Sequence, residues 1–412
     1  MTGRPGPAGD RGPGPANGPA RGRPGMAGEN AFRGHGMGRD LVEPDWPPLT
    51  DEEVAAVLAR YRRQGGVTAV RWRSPRPMSA AALVRCDGGE VFVKRHHKLV
   101  RTAAQLSAEH ALADHLRARG VAVPAVLRRP DAGSTVASGD YVYEVHALAE
   151  GVDLYRDVLS WEPFSSVPHA RAAGAALARF HRASATFGRP ERPPAVLTSS
   201  CAVITAADPL AAVGRLAARR PGLASYLGNR AWRDDFTRCH LPAIGRLAPL
   251  LPGLGRLWGH GDWHPSNLTW DSASPDAGVA GVIDLGLANR TFAAHDLAVA
   301  IERSAVSWLD LAEGKRARPG IPAVDALLDG YQAVRPLSRA ETAALPLLLP
   351  VVHIEYALSE VEYFASVVRS PANADLAYDG YLTGHARWFA GPDGRALLSH
   401  LRRRADRQPA AP

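Results

Sequence analysis

Lysine is almost missing from this chain. Of 49 Lys and Arg side chains in 412 residues, only Lys94, Lys98 and Lys315 are lysine. Together with 40 glycines and 34 prolines, this bias has the look of a GC-rich coding sequence. The net charge of +8 is therefore a poor guide to function, whereas a lysine in a telling place is a good one. Cysteine is scarce too. Cys86, Cys201 and Cys239 are scattered with no CxxC pair, which excludes a disulfide framework and fits a reducing cytoplasm. Long apolar runs are absent. The longest, Leu345–Leu358, contains Pro346, Pro350, His353 and Glu355 and reads as core helix, so no membrane span is expected. No apolar stretch marks a secretory signal near the N-terminus. A composition of 22% charged and 46% hydrophobic residues excludes a wholly disordered or collagen-like chain.

Residues 1–45 read as a Gly/Pro/Arg-rich tail. The first 40 residues hold 12 glycines, 6 prolines and 6 arginines and almost nothing apolar, so they cannot offset their ordering entropy. A basic tail suits nucleic acid, but no recognition motif accompanies it, and a plain extension is the simpler reading. The folded part is expected from Trp46, with a first lobe over 46–146 and a second over 147–405. Asp51–Arg63 reads as a helix capped by Thr50. Val67–Arg73, Ala82–Cys86 and Glu90–Lys94 read as strands, the last two joined by a turn at Asp87-Gly88-Gly89. Thr102–Arg119 reads as a helix stopped by Gly120, and Val121–Leu127 and Asp140–His146 as further strands. Beyond residue 150 the pattern is helical, with one β-like island at Leu268–Asp284. The fold class is α+β, with a small antiparallel-sheet lobe before a larger helical one.

The most informative stretch is His260-Gly261-Asp262-Trp263-His264-Pro265-Ser266-Asn267, followed by Val282-Ile283-Asp284. Phosphoryl transfer needs such a set: a carboxylate to align the acceptor hydroxyl, and oxygen ligands for Mg²⁺ on the nucleotide. A zinc reading of the His260/His264 spacing lacks a third ligand nearby. The front lobe supplies an independent sign. Lys94 ends the run Val91-Phe92-Val93-Lys94, and Glu109 falls on the apolar stripe of Leu106, Leu112 and Leu116 in the next helix. A carboxylate there needs a partner, and Lys94 is the expected one.

The segment His260-Gly261-Asp262 with Asn267, Ile283-Asp284 and Asp296-Leu297-Ala298 resembles the aminoglycoside phosphotransferase and choline kinase superfamily, relatives of the protein kinases. The resemblance implies a bilobal kinase-like fold and transfer of the γ-phosphate of ATP or GTP to a small-molecule hydroxyl. It implies Asp262 as the base, Asn267 and Asp284 as Mg²⁺ ligands, His260 as a brace of the loop and Asp296 as its support. It also implies that the Tyr143-Glu144-Val145-His146 segment meets the adenine, with Glu144 and His146 at the nucleotide. Leu177-Ala178-Arg179-Phe180-His181 resembles a helix that precedes the catalytic region, with His181 packed and hydrogen-bonded. The expected phosphate loop, Ser74–Ala81, departs from the pattern: it has no glycine, and Ser79 is its small polar residue.

The acceptor is less legible. Glu355, Ser359 and Glu362 share one helical face beside Tyr356 and Tyr363, which suits an amine-bearing acceptor or, equally, a solvated acidic face. Asp296–Val299 and Gly330–Ser338 resemble parts of bacterial homoserine kinases, and Glu302 and Trp308 fall where a substrate contact is expected. A homoserine or amino-alcohol kinase, a protein Ser/Thr kinase and a nucleotide-binding pseudokinase stand beside the aminoglycoside-type reading.

Overall fold

In the computed structural model, which describes residues 32–61 and 66–407, the first sheet grows around one tight turn. After a small hairpin of β1 (Gly34–His35) and β2 (Leu41–Val42), five strands follow: β3 (Val67–Arg73), β4 (Ala80–Cys86), β5 (Gly89–His97), β6 (Thr135–Ser138) and β7 (Tyr141–Ala147). They form an antiparallel sheet in the order β3-β4-β5-β7-β6. Asp87 and Gly88 make the two-residue turn between β4 and β5. Period-two alternation sends Val91, Val93 and Val145 into a core with Val54, Val57 and Leu58 of helix α1 (Asp51–Leu58). Lys94 and Glu144 are direct cross-strand partners on the opposite face. Helix α2 (Ala103–Arg117) covers part of that face. Both helices open with complete capping boxes, Thr50 with Glu53 and Thr102 with Gln105.

Four expectations change. Val121–Leu127 is extended but makes no full strand: Leu127 N donates to Val145 O at 2.8 Å, and Val126 bridges His146. Pro124 has no N–H to give, which interrupts a ladder there. The tail boundary also moves. Residues 1–31 lie outside the described residues, but the chain already pairs from Gly34. Arg39 is held by Glu162, Asp310 and Glu313 at 2.6–3.3 Å, and Tyr363 donates to Asp45 at 2.8 Å. These acidic and phenolic partners supply what the apolar-poor segment lacks on its own. The Leu345–Leu358 stretch is two helices, Arg339–Leu348 and Ile354–Glu362, with a turn between them. The α1 expectation to Arg63 stops at Leu58, and residues 62–65 lie outside the described residues.

The second lobe is organised by α3 (Val167–Ser184) against the helix Ile321–Val334. Glycine is required on both sides of this crossing. A Cβ at Gly174 would stand 1.9 Å from Leu327 O, and one at Gly330 would stand 2.0 Å from Arg171 O. The close approach brings Tyr331 onto His181. Two ribbons complete the lobe: β8 (Arg256–Gly259) with β11 (Asn289–Phe292), and β9 (Leu268–Trp270) with β10 (Val279–Val282). The chain between β8 and β9 and the chain between β10 and β11 carry the Asp262 and Asp284 motifs. Among the described residues, no helix is long and apolar enough to cross a membrane.

Candidate active site

The loop after β8 is pinned from below before any functional side chain is placed. Gly261 takes φ +77°, and a Cβ there would lie 2.4 Å from Leu287 O, so only glycine lets the chain pass. Asp296, at the start of the helix Ala293–Ser304, is fully buried and accepts the backbone N–H of His260 at 2.6 Å and of Gly261 at 2.8 Å. His181 Nε2 meets the same carboxylate at 2.9 Å, and its Nδ1 meets Tyr331 Oη at 2.7 Å. His260 Nε2 lies 3.0 Å from Ile283 O, which ties the Asp262 loop to the Asp284 strand. Trp263 is fully buried beneath.

This frame presents Asp262. Asn267 Nδ2 donates to the Asp262 carbonyl at 2.9 Å and to Oδ2 at 3.1 Å. The amide nitrogen is thereby used, which leaves the amide oxygen as the Asn267 atom for a cation. Arg303 Nη2 sits 3.1 Å from Oδ1, and His264 Nε2 lies 3.5 Å from Oδ2. Burial alone would raise the Asp262 carboxyl, but the Arg303 guanidinium outweighs it and holds it below the usual carboxylate range. Burial pushes the His264 imidazole down to about 4, so this neighbour is neutral at pH 7.

Asp284 follows β10 with φ +58° and ψ +76°, a left-handed conformation that costs a non-glycine residue about 1–2 kcal/mol. Its Oδ1 accepts Gly286 N at 3.2 Å, and Lys94 Nζ donates to Oδ2 at 2.9 Å. Burial opposes ionisation, and the Lys94 ammonium reverses this, so the Asp284 carboxyl is lowered. Asp262, Asn267, Asp284 and Lys94, drawn from both lobes, therefore converge. An oxygen-only set beside the Lys94 ammonium fits Mg²⁺ and the phosphates of a nucleotide.

The expected Lys94–Glu109 pair is not formed. Glu109 is taken by Arg101 at 3.1 Å and Arg192 at 2.5 Å, while Lys94 pairs with Asp284. Two guanidiniums satisfy the buried carboxylate on its helix, and Asp284 is within hydrogen-bond reach of the lysine. The Glu144 carboxylate is enclosed by His96, His110 and His146. The glycine-free loop between β3 and β4 bends through Met78 at φ +71°, with Ser79 at its foot. It reaches across the cleft: Arg76 donates to Ser160 Oγ at 2.8 Å and Tyr155 O at 3.1 Å, and Tyr356 Oη lies 3.7 Å from Met78 Sδ.

The acceptor residues need revision. Glu355 faces away from Asp262, accepting Val203 N at 2.5 Å and bonding Ser200, while Glu362 pairs with Arg220 at 3.2 Å. Their shared face is spent on holding residues 195–203 and Arg220. Glu302 is buried against His385 at 2.6 Å, and Trp308 stacks on that ring at 3.5 Å while donating to Glu302 O at 2.5 Å. Both stand behind the site as its wall. The other face of the Ile354–Glu362 helix supplies Tyr356 and Glu360, both within electrostatic reach of Asp262 and Arg303. Glu360 is 2% exposed, its Oε2 has no hydrogen-bond partner among the described residues, and burial pushes its carboxyl up to about 8. Arg303, packed 3.8 Å over the Trp161 ring, and Glu360 went unread in the sequence. Arg303 directly follows Glu302, and the helical period places Glu360 opposite Glu355, but neither pattern marks the face toward Asp262.

The family model described as the phosphotransferase enzyme family matches residues 79–337, and the chain belongs to that family of kinases acting on small-molecule hydroxyls. It is 27% identical over 321 residues to a homoserine kinase of Granulibacter bethesdensis, covering 76% of this chain and 86% of that protein. A homoserine kinase of Acidiphilium cryptum is 26% identical over 320 residues with the same coverage. Among solved structures, a microcompartment-associated aminopropanol kinase superposes with a TM-score of 0.56 at 17% identity, covering 83% of this chain and 98% of that one.

Proposed function

We propose that this protein transfers the γ-phosphate of ATP to the hydroxyl of a small amino alcohol or hydroxy amino acid of the homoserine type. The observation that carries this is Glu360, a buried carboxyl with one oxygen lacking a partner, within electrostatic reach of Arg303 and Asp262. An ammonium group is the natural partner for that oxygen. The burial of Glu360, Glu302 and Arg303 suits a compact acceptor better than an oligosaccharide. The homoserine kinase and aminopropanol kinase likenesses point the same way.

In this reading Asp262 aligns the acceptor hydroxyl and takes up its proton. Arg303 keeps that carboxylate ionised and oriented. Lys94 holds the phosphates. Asn267 Oδ1 and Asp284 are the ligands for Mg²⁺, which supplies charge neutralisation of the phosphates when bound. The test is nucleotide consumption by the purified protein over homoserine, aminopropanol, aminoglycosides and a generic protein substrate. Turnover with the small amino alcohols alone supports the proposal, and turnover only with aminoglycosides or protein rejects it. Mg-nucleotide binding without any acceptor turnover assigns the chain to the pseudokinase class.

The Glu360 carboxyl also predicts a pH profile. It is protonated in the free enzyme up to about pH 8 and must ionise to meet an ammonium. Binding of a cationic acceptor therefore strengthens as pH rises from 6 toward 8 and then levels. The acceptor KM should fall accordingly. Glu360→Gln should raise KM by about 10- to 100-fold, as expected for one charge-assisted hydrogen bond, and flatten its pH dependence. A KM that keeps the wild-type slope in this variant would remove Glu360 from acceptor binding.

A further inference from the structure

We propose that His110, Glu144 and His146 form a binding site for one divalent transition-metal ion of the zinc type, inside the first lobe and separate from the nucleotide cation site. The three ligand atoms come from two elements. Glu144 and His146 are two residues apart on β7 and so share a face, and His110 approaches from α2. All three donor atoms lie within 4.8 Å of one another. Glu144 Oε2 is 2.6 Å from His110 Nε2 and 3.0 Å from His146 Nε2. The other oxygen, Oε1, is held by His96 Nε2 at 2.9 Å.

The surroundings suit coordination. Ser134 Oγ contacts His110 Nδ1 at 2.8 Å, leaving Nε2 directed at the carboxylate, as outer-shell partners of metal-binding histidines do. Two imidazoles and a carboxylate favour zinc-type ions over Mg²⁺, which prefers oxygen ligands and octahedral geometry. His146 is 21% exposed at its side chain and gives the ion a way in. Coordination would exchange the protons now shared between Glu144 and its histidines for one ion. It would also clamp α2 to β7. Glu144 stands directly opposite Lys94 in the sheet, so the clamp would fix the strand that carries the phosphate lysine.

The test is Zn²⁺ titration of the chelator-stripped full chain against a chromophoric competitor, with Co²⁺ as a spectroscopic probe. One equivalent of Zn²⁺, a raised Tm and visible Co²⁺ bands of tetrahedral intensity are expected. Binding should survive Asn267→Ala with Asp284→Ala, which removes the nucleotide cation ligands. It should be lost in His110→Ala and His146→Ala and weakened ~10-fold in Ser134→Ala. His146→Ala guards the test if the buried His110 variant fails to fold. Absence of Zn²⁺ binding at micromolar concentration overturns the proposal. So does undiminished binding in His146→Ala, or loss of binding in the Asn267/Asp284 variant.

Discussion

Asp262→Ala is expected to lower kcat by about 100- to 10,000-fold, the range for loss of a positioned general base. The geometry separates this effect from nucleotide binding. Asp262 contacts Arg303, His264 and Asn267, whereas Lys94, proposed to hold the phosphates, pairs with Asp284. Nucleotide affinity should therefore stay near wild type while turnover collapses. Alanine leaves the Arg303 guanidinium buried without its nearest carboxylate, so some loss of stability accompanies it. Asp262→Asn preserves the shape and isolates the missing basicity. Single-turnover kinetics alongside equilibrium nucleotide binding distinguishes the two effects. Near-normal kcat in a folded Asp262→Asn protein would exclude this carboxylate from the chemical step.

The largest effect on stability is expected from Asp296→Ala. Its carboxylate is fully buried and satisfies two backbone N–H groups and one imidazole at 2.6–2.9 Å. Removing it strands all three donors where water does not reach them. Breaking such a buried charged network costs about 3–5 kcal/mol. For a chain of this size that corresponds to a fall in Tm of about 3–6 °C. The loss should be cooperative with function, because the same N–H groups fix the backbone on either side of Gly261. Differential scanning calorimetry reads the shift directly. A wild-type Tm for the alanine variant would mean that the loop is held by something else.

The candidate catalytic loop was legible in the sequence because its residues are local: Asp262 and Asn267 are five residues apart, and Asp284 follows an apolar strand. Lys94 was legible because lysine is so rare here. Its partner was not. Helical periodicity put Glu109 on an inner face, but three other cations and carboxylates compete there, and only the fold decides that Arg101 and Arg192 take Glu109 while Asp284 takes Lys94. The acceptor helix failed for a related reason. Glu355 and Glu360 are both buried, so amphipathic reasoning cannot choose between faces when each is turned inward. The short ribbon strands β8 and β11 and the polar β6, Thr135–Ser138, carry too little alternation to be read as strands. Pro124 turned a strand-like apolar run into an irregular one.

The contact between Lys94 and Asp284 has a consequence for the order in which ligands load. The two residues are 190 positions apart and belong to different lobes, yet in the free protein each neutralises the other. Nucleotide arriving alone must compete with Asp284 for the same ammonium. Nucleotide arriving with its cation offers Asp284 a replacement partner at the moment Lys94 turns to the phosphates. The exchange conserves the number of opposite-charge contacts, so entry as a metal–nucleotide pair is the low-barrier route, and cation and nucleotide are expected to bind cooperatively.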